Sequence, residues 1–177
     1  MQEKSTELLE KILKSYEAYF DISRETEYEG VPVAAEAAFH SRSEKYVLVK
    51  KAQLWAAEAH EYTFFLTAES LDCEKLEAYR EVILKEGLSR VKPQKDHMYT
   101  YVTMIVIADQ VDERVSSQIR RMRFHKSYRL SIHGWCDLRV AICDMSGETV
   151  QVLTNPAGRE LRKMVRAVTD KKRRAKR

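Results

Sequence analysis

The stretch HMYTYVTMIVIAD, residues 97–109, begins with mixed polarity and is apolar at every position from Met104 to Ala108. Successive side chains of a strand point to opposite faces, so its second half is apolar on both. Such a strand belongs at the centre of a sheet that helices cover on at least one side. The remaining segments must supply the neighbouring strands and the covering helices.

The first segment places Leu8, Leu9, Ile12, Leu13, Tyr16, Tyr19 and Phe20 at a spacing near 3.6, which predicts an amphipathic docking helix of roughly four turns. Lys4, Glu7, Lys11 and Lys14 cover its other face, so core packing is the expected use, and a membrane-surface role is the alternative. From Val31 the period falls to about two, and three short-looped strands are expected in VPVAAEAAF, YVLVKKAQLWAA and YTFFLTA. His40, Arg42 and Lys45 then sit in the first connection and His60 in the second. SLDCEKLEAYREVILKEG reads as a helix with Ser70 or Asp72 as N-cap, a stripe including Leu76, Tyr79 and Ile83, and Gly87 as its stop.

After the central strand, Val111, Val115, Ile119 and Met122 mark a helix over about 112–124. YRLSIHGWCDLRVAIC, residues 128–143, reads as one long strand, bulged or kinked at Gly134. DMSGET is a hairpin turn with Gly147 at the φ > 0 position, and VQVLT returns. A last helix has Asn155 as cap, Pro156 in its first turn, and a stripe of Leu161, Met164, Val165 and Val168. The expected fold is α+β, a mostly antiparallel sheet of about six strands with packed helices in the order α-βββ-α-β-α-ββ-α. A chain of 177 residues suits one domain, here residues 1–169, followed by a basic tail over 170–177 that is expected to be disordered.

The net charge of +4 is local: the last eight residues hold six Lys/Arg and one Asp, leaving 25 basic against 26 acidic residues elsewhere. Cys73, Cys136 and Cys143 fit neither a disulfide scaffold nor paired zinc knuckles, which points to a reducing, cytoplasmic location. With no secretion-type h-region and no run of about 18 apolar residues, membrane insertion is not expected. The five histidines form no HxH or HExxH, and the five glycines form no phosphate loop, so no metal and no cofactor are expected. The opening order α-βββ-α-β resembles the core of the PD-(D/E)xK nuclease-like fold, but the strands lack the acidic pair that would hold magnesium there.

Strand parity sends Cys136 to the core face of 128–143 and leaves Arg129, His133, Trp135, Asp137 and Arg139 on the other. His133 and Asp137 are then roughly 13 Å apart along the strand, beyond a direct hydrogen bond. A tight His-Gly hairpin would join them but would set Leu130 against Asp137 and destroy the apolar face. The polar face is either solvated, with Trp135 packed on arginine stems, or binds an anion, a base or an aromatic cofactor, and the preceding Arg120, Arg121, Arg123 and Lys126 make the neighbourhood positive. The leading expectation is a binding module for an anionic ligand, nucleic acid first, using Arg120, Arg121, Arg123, Lys126, Arg129, His133, Trp135 and Arg139. The alternatives are an enzyme with His40, His133 and Asp137 as acid-base groups, and a protein-interaction domain, including a homodimer through the first helix or an exposed sheet face.

Three stretches, FHSRSEKYVLVKKAQLWAAEAHEY, HMYTYVTMIVIAD and SYRLSIHGWCDLRVAICD, are similar to a family of small uncharacterised bacterial proteins known as a domain of unknown function. The resemblance covers nearly all of the chain except the tail. It implies a bacterial, cytoplasmic, single-domain protein and no particular activity.

Overall fold

The computed structural model describes residues 2–47 and 52–174, with side chains described over 3–41 and 57–169. The elements run α1 (Gln2–Tyr16), β1 (Asp21–Tyr28), β2 (Val31–Val47), β3 (Ala52–Leu71), α2 (Cys73–Ser89), β4 (His97–Val111), α3 (Glu113–Arg121), β5 (His125–Ser127), β6 (Trp135–Asp144), β7 (Gln151–Thr154) and α4 (Arg159–Arg174). They build an α+β fold on one mixed, mostly antiparallel sheet of order β1-β2-β3-β4-β6-β5, with β7 also paired to β6. β4 is central, as its sequence requires, and its two neighbours β3 and β6 both run parallel to it.

Alternation along the inner strands feeds two cores. Phe64, Leu66, Val102, Met104, Val106, Leu138, Val140 and Ile142 pack with α2 and α3. Phe65, Ile105, Ile107, Ala141 and Cys143 pack on the other face with α1 and α4. α1 is the expected docking helix, with Leu8, Leu9, Ile12, Leu13 and Tyr16 all buried against the sheet; it ends at Tyr16, and Tyr19, read as part of the stripe, lies beyond it and is exposed. The helix runs antiparallel to β4, from the Ser5 hydroxyl on the Asp109 carboxylate to Tyr16 edge-on to Phe65.

The strands differ in detail from the periodicity. The three short strands of the first half are two long ones, so His40, Arg42 and Lys45 lie within β2 and His60 within β3 rather than in turns. The side chains of Arg42 and Lys45 lie outside the described residues. The third strand of that group is β1, a polar, mostly exposed edge joined to β2 through Glu29 and Gly30. α2 is capped by Asp72, as read from sequence, but runs past Gly87, which packs on Val102, and ends at Ser89. Gly147 does not have positive φ, although β6 and β7 form the expected antiparallel pair. α4 begins three residues after Pro156 and runs to Arg174; the last three residues of the basic tail lie outside the described residues.

Candidate functional site

Residues 128–143 are not one strand. β6 starts only at Trp135, and Tyr128–Gly134 form a loop closed by Tyr128 N–H to Gly134 O at 2.9 Å and His133 N–H to Tyr128 O at 3.1 Å. Arg129, Leu130 and Ser131 all adopt positive φ, a conformation unfavourable for residues with a Cβ. At Gly134, φ is +75° and a Cβ would lie 2.6 Å from the carbonyls of His97 and Met98, so only glycine fits there. The seven-residue loop achieves what a tight turn could not. Its register sets Ser127 against Trp135 and His125 against Asp137, so Cys136, Leu138 and Val140 keep their place in the core. Burial pushes the Cys136 thiol up to about 12, which keeps it protonated and unreactive.

The three proposed acid-base groups do not converge. Asp137 takes its hydrogen bond from His125 Nδ1 at 2.7 Å, on the α1/α4 face. His40 lies on the opposite face, where its Nδ1 meets His60 Nδ1 at 2.8 Å across the strands. His133 contributes its backbone: its carbonyl accepts from His97 Nδ1 at 2.7 Å, while His97 Nε2 is 2.9 Å from Thr100 Oγ1. A carbonyl only accepts, so the His97 Nδ1–H is the donor of the first contact. His60 is held below its usual value, first by burial and then by the imidazoles of His40 and His97.

Arg139, expected on a solvated or ligand-binding face, is instead tied to Glu61 by an ion pair in which both side chains are largely buried. Glu61 Oε1 also accepts from Thr63 and Thr103 at 3.2 and 3.1 Å, and the guanidinium lies 4.5 Å from the Tyr101 ring centre. Its charge is therefore spent. Trp135 does lie on this face, beside Tyr99 with ring centres 5.9 Å apart, and Tyr99 in turn is 4.8 Å from Tyr101. Arg121 and Arg129 are exposed and apart from these groups, and Lys126 sits 5.3 Å over the Tyr128 ring.

The basic residues that do converge meet at the outer edge of β6. β5 pairs with the first part of that strand and β7 with the last, and Asn155 fills the interval between them. Val140 N–H donates to Asn155 Oδ1 at 2.9 Å, and Asn155 Nδ2 donates to the Leu138 carbonyl at 2.9 Å, so the side chain stands in for a strand. Its Oδ1 also accepts from Gly158 N–H at 2.8 Å, and a Cβ at Gly158 would lie 2.6 Å from the Val140 carbonyl. Asn155 thus joins β6 to the turn before α4: its side chain takes the amide three residues on, as a cap does, and the helix itself begins at Arg159.

Over this floor opens a cleft of about 270 Å³ lined by Arg120, Arg123, Arg159 and Arg162 with Thr154 and Pro156. Arg123 is held by the Arg120 carbonyl at 2.9 Å and Arg162 by Thr154 Oγ1 at 3.3 Å, both neutral acceptors. No carboxylate is among the described residues that line it. Arg120 and Arg123 were expected from sequence; Arg159 and Arg162 were missed. Their spacing of three places them on one side of α4, away from the buried Leu161 and Val165, a signal present in GRELRKMVR.

A family model described as a domain of unknown function, DUF8052, matches residues 4–167. The chain belongs to that family. The DUF8052 match begins in α1 and ends within α4, so it takes in all seven strands and the four arginines of the edge cleft. No curated protein and no solved structure matches the chain. Among the described residues of this DUF8052 domain, no three His, Cys, Asp or Glu side chains are grouped to hold a metal ion, and no helix is long and apolar enough to cross a membrane.

Proposed function

We propose that the protein is a binding module for a phosphate-bearing anion, with nucleic acid as the first candidate class, and that the edge cleft is its site. The observation that carries this reading is the convergence of Arg120, Arg123, Arg159 and Arg162 over the Asn155 floor without a lining carboxylate. Like charges gathered in a concavity raise its potential, and a bound anion relieves their repulsion. Guanidinium forks match phosphate oxygens two at a time, which a cluster of lysines would not do. Arg121, Lys126 and Arg129 contribute to the surrounding field, and Arg139 leaves the ligand set because Glu61 neutralises it. Three free cysteines, two of them buried, fit a reducing, cytoplasmic setting for this role.

Titration with inorganic tripolyphosphate, followed by calorimetry, tests the reading. Binding is expected at low salt, with steep loss as salt rises and near-complete loss in Arg159→Ala/Arg162→Ala. No binding at low salt, or undiminished binding by the double variant, removes the proposal.

A second reading, a self-associating domain, is favoured by one loop: Leu130 is 92% and Ile132 68% exposed at its tip. A monomeric mass at high protein concentration removes that reading.

A further inference from the structure

We infer that the anion is a single-stranded nucleic acid whose bases stack on the Trp135–Tyr99 surface while its phosphates enter the edge cleft. The inference rests on the anion-binding reading of that cleft. Its independent support comes from the start of β6, while the cleft floor lies at the strand's middle. On the α1/α4 face, burial changes along the strands: Thr103, Ile105, Ala141 and Cys143 are buried, whereas Tyr99, Tyr101, Trp135 and Asp137 are only partly covered. The reason is the length of α1 and the start of α4. Tyr16 in the last turn of α1 and Leu161 in the first turns of α4 reach the sheet beside Glu61 and Arg139, so the sheet beyond them extends past both helices.

The uncovered end has the composition of a stacking surface. Trp135 lies against Tyr99, and Tyr99 against Tyr101, in tilted contacts that hold the three rings in place. The residue paired with Trp135 on the outer side is Ser127, too small to cover the indole. Aromatic rings on a half-open sheet accept bases of any sequence through their faces. Along the way, Glu61 is paired with Arg139, and the Asp137 carboxylate accepts from His125 Nδ1. The arginines of the cleft meet no lining carboxylate, and the flat aromatic surface lies at Trp135.

The spacing favours a strand over a mononucleotide. Val140, bonded to the cleft floor, and Trp135 are five residues apart on β6, roughly 16 Å at about 3.3 Å per residue. A stacked strand advances about 3.4 Å per phosphate, so one ligand touching both ends must carry several nucleotides. A duplex hides its base faces in the stack, and so cannot use the rings.

Fluorescence anisotropy with labelled oligothymidylates of increasing length, the matching duplex, and tripolyphosphate as competitor tests this. Affinity is expected to rise with length until the ligand reaches both the cleft and Trp135, and the duplex is expected to bind more weakly. Trp135→Leu and Tyr99→Leu should each weaken the long oligomer about ten-fold while leaving the salt dependence unchanged. Arg159→Ala/Arg162→Ala should instead reduce the slope of log affinity against log salt by roughly 1.4. In a Trp55→Phe background, indole fluorescence should be quenched by the oligomer and not by tripolyphosphate, a readout that does not depend on how well the Trp135 variant folds. Tripolyphosphate binding without length dependence and without quenching overturns the stacking inference and leaves the anion site standing. Failure of tripolyphosphate and oligomers alike overturns both.

Discussion

The arginine on the sheet face and those at the sheet edge are handled in opposite ways. Arg139 sits among Glu61, Thr103 and Tyr101, with its charge matched by a carboxylate and its plane laid by a ring. Arg120, Arg123, Arg159 and Arg162 gather around Asn155, two of them held only by neutral oxygens. Under the helices, where water is scarce, an unpaired charge would be too costly, so it is matched. At the edge, water and a ligand can do the matching. The imidazoles on the far face show a third solution: His97 is buried with both ring nitrogens hydrogen-bonded, and burial biases His60 toward neutrality.

The largest expected effect tests the floor that makes the edge a cleft. Asn155→Ala orphans the Val140 amide and the Leu138 carbonyl together, leaves the Gly158 amide only the backbone carbonyl of residue 155, and should cost about 3 kcal/mol in urea unfolding. It should also abolish tripolyphosphate binding, since both arginine pairs are placed by this junction. A loss near zero would mean that Asn155 is not what joins β5, β7 and α4.

Next comes the paired arginine. Arg139→Ala leaves Glu61 largely buried without its counter-ion, and should destabilise the fold by about 2–3 kcal/mol, discounted for partial solvent access. Adding Glu61→Gln should restore part of that loss; a double variant no better than Arg139→Ala would show that the charge pairing is not what matters.

The imidazole cluster gives a pH dependence. The folded value of His60 lies below the ordinary 6.5, so the unfolded chain takes up the proton first. The stability held by the neutral ring is full above about pH 6.5 and is lost as pH falls through the folded value. His40, His97 and Lys92 press in this direction and Glu58 opposes it. His60→Gln should flatten the stability profile between about pH 7.5 and 5.5. An unchanged profile would show that His60 is not the titrating group.

The smallest expected effect completes the contrast. Single alanine substitutions at Arg120, Arg159 or Arg162 should shift stability by no more than about 0.5 kcal/mol in either direction, because none of the three leaves a buried charge behind. A cost near that of Arg139→Ala would erase the difference between face and edge.

The helices were readable because each contains a stripe that needs no distant partner to be recognised. Leu8 to Tyr16, Leu76 to Ile83 and Leu161 to Val165 bury the faces their spacing indicates. The central place of β4 followed from its two apolar faces. Harder were the strands with polar or alternating neighbours. Residues 31–47 and 52–71 contain charged stretches that resemble loops, yet they pair as one long ribbon with a single register shift at Lys45/Tyr46, which sets His40 against His60 and Arg42 against Glu58. β1 escaped notice because an edge strand needs only a weak apolar alternation, here Ile22, Thr26 and Tyr28.

At YRLSIHGWCDLRVAIC, parity by itself determined that Cys136, Leu138 and Val140 enter the core and that Trp135, Asp137 and Arg139 oppose them, because a strand's alternation is local. Which residue would meet each of those side chains was decided by tertiary structure. Ser127 faces Trp135, His125 binds Asp137 and Glu61 binds Arg139, across sequence gaps that no local period encodes. The same holds at the edge. Residues 120–123 and 159–162 are each an ordinary basic helical segment in the sequence, and they become one cleft only because Asn155 ties the start of α4 to the strand that α3 and β5 flank.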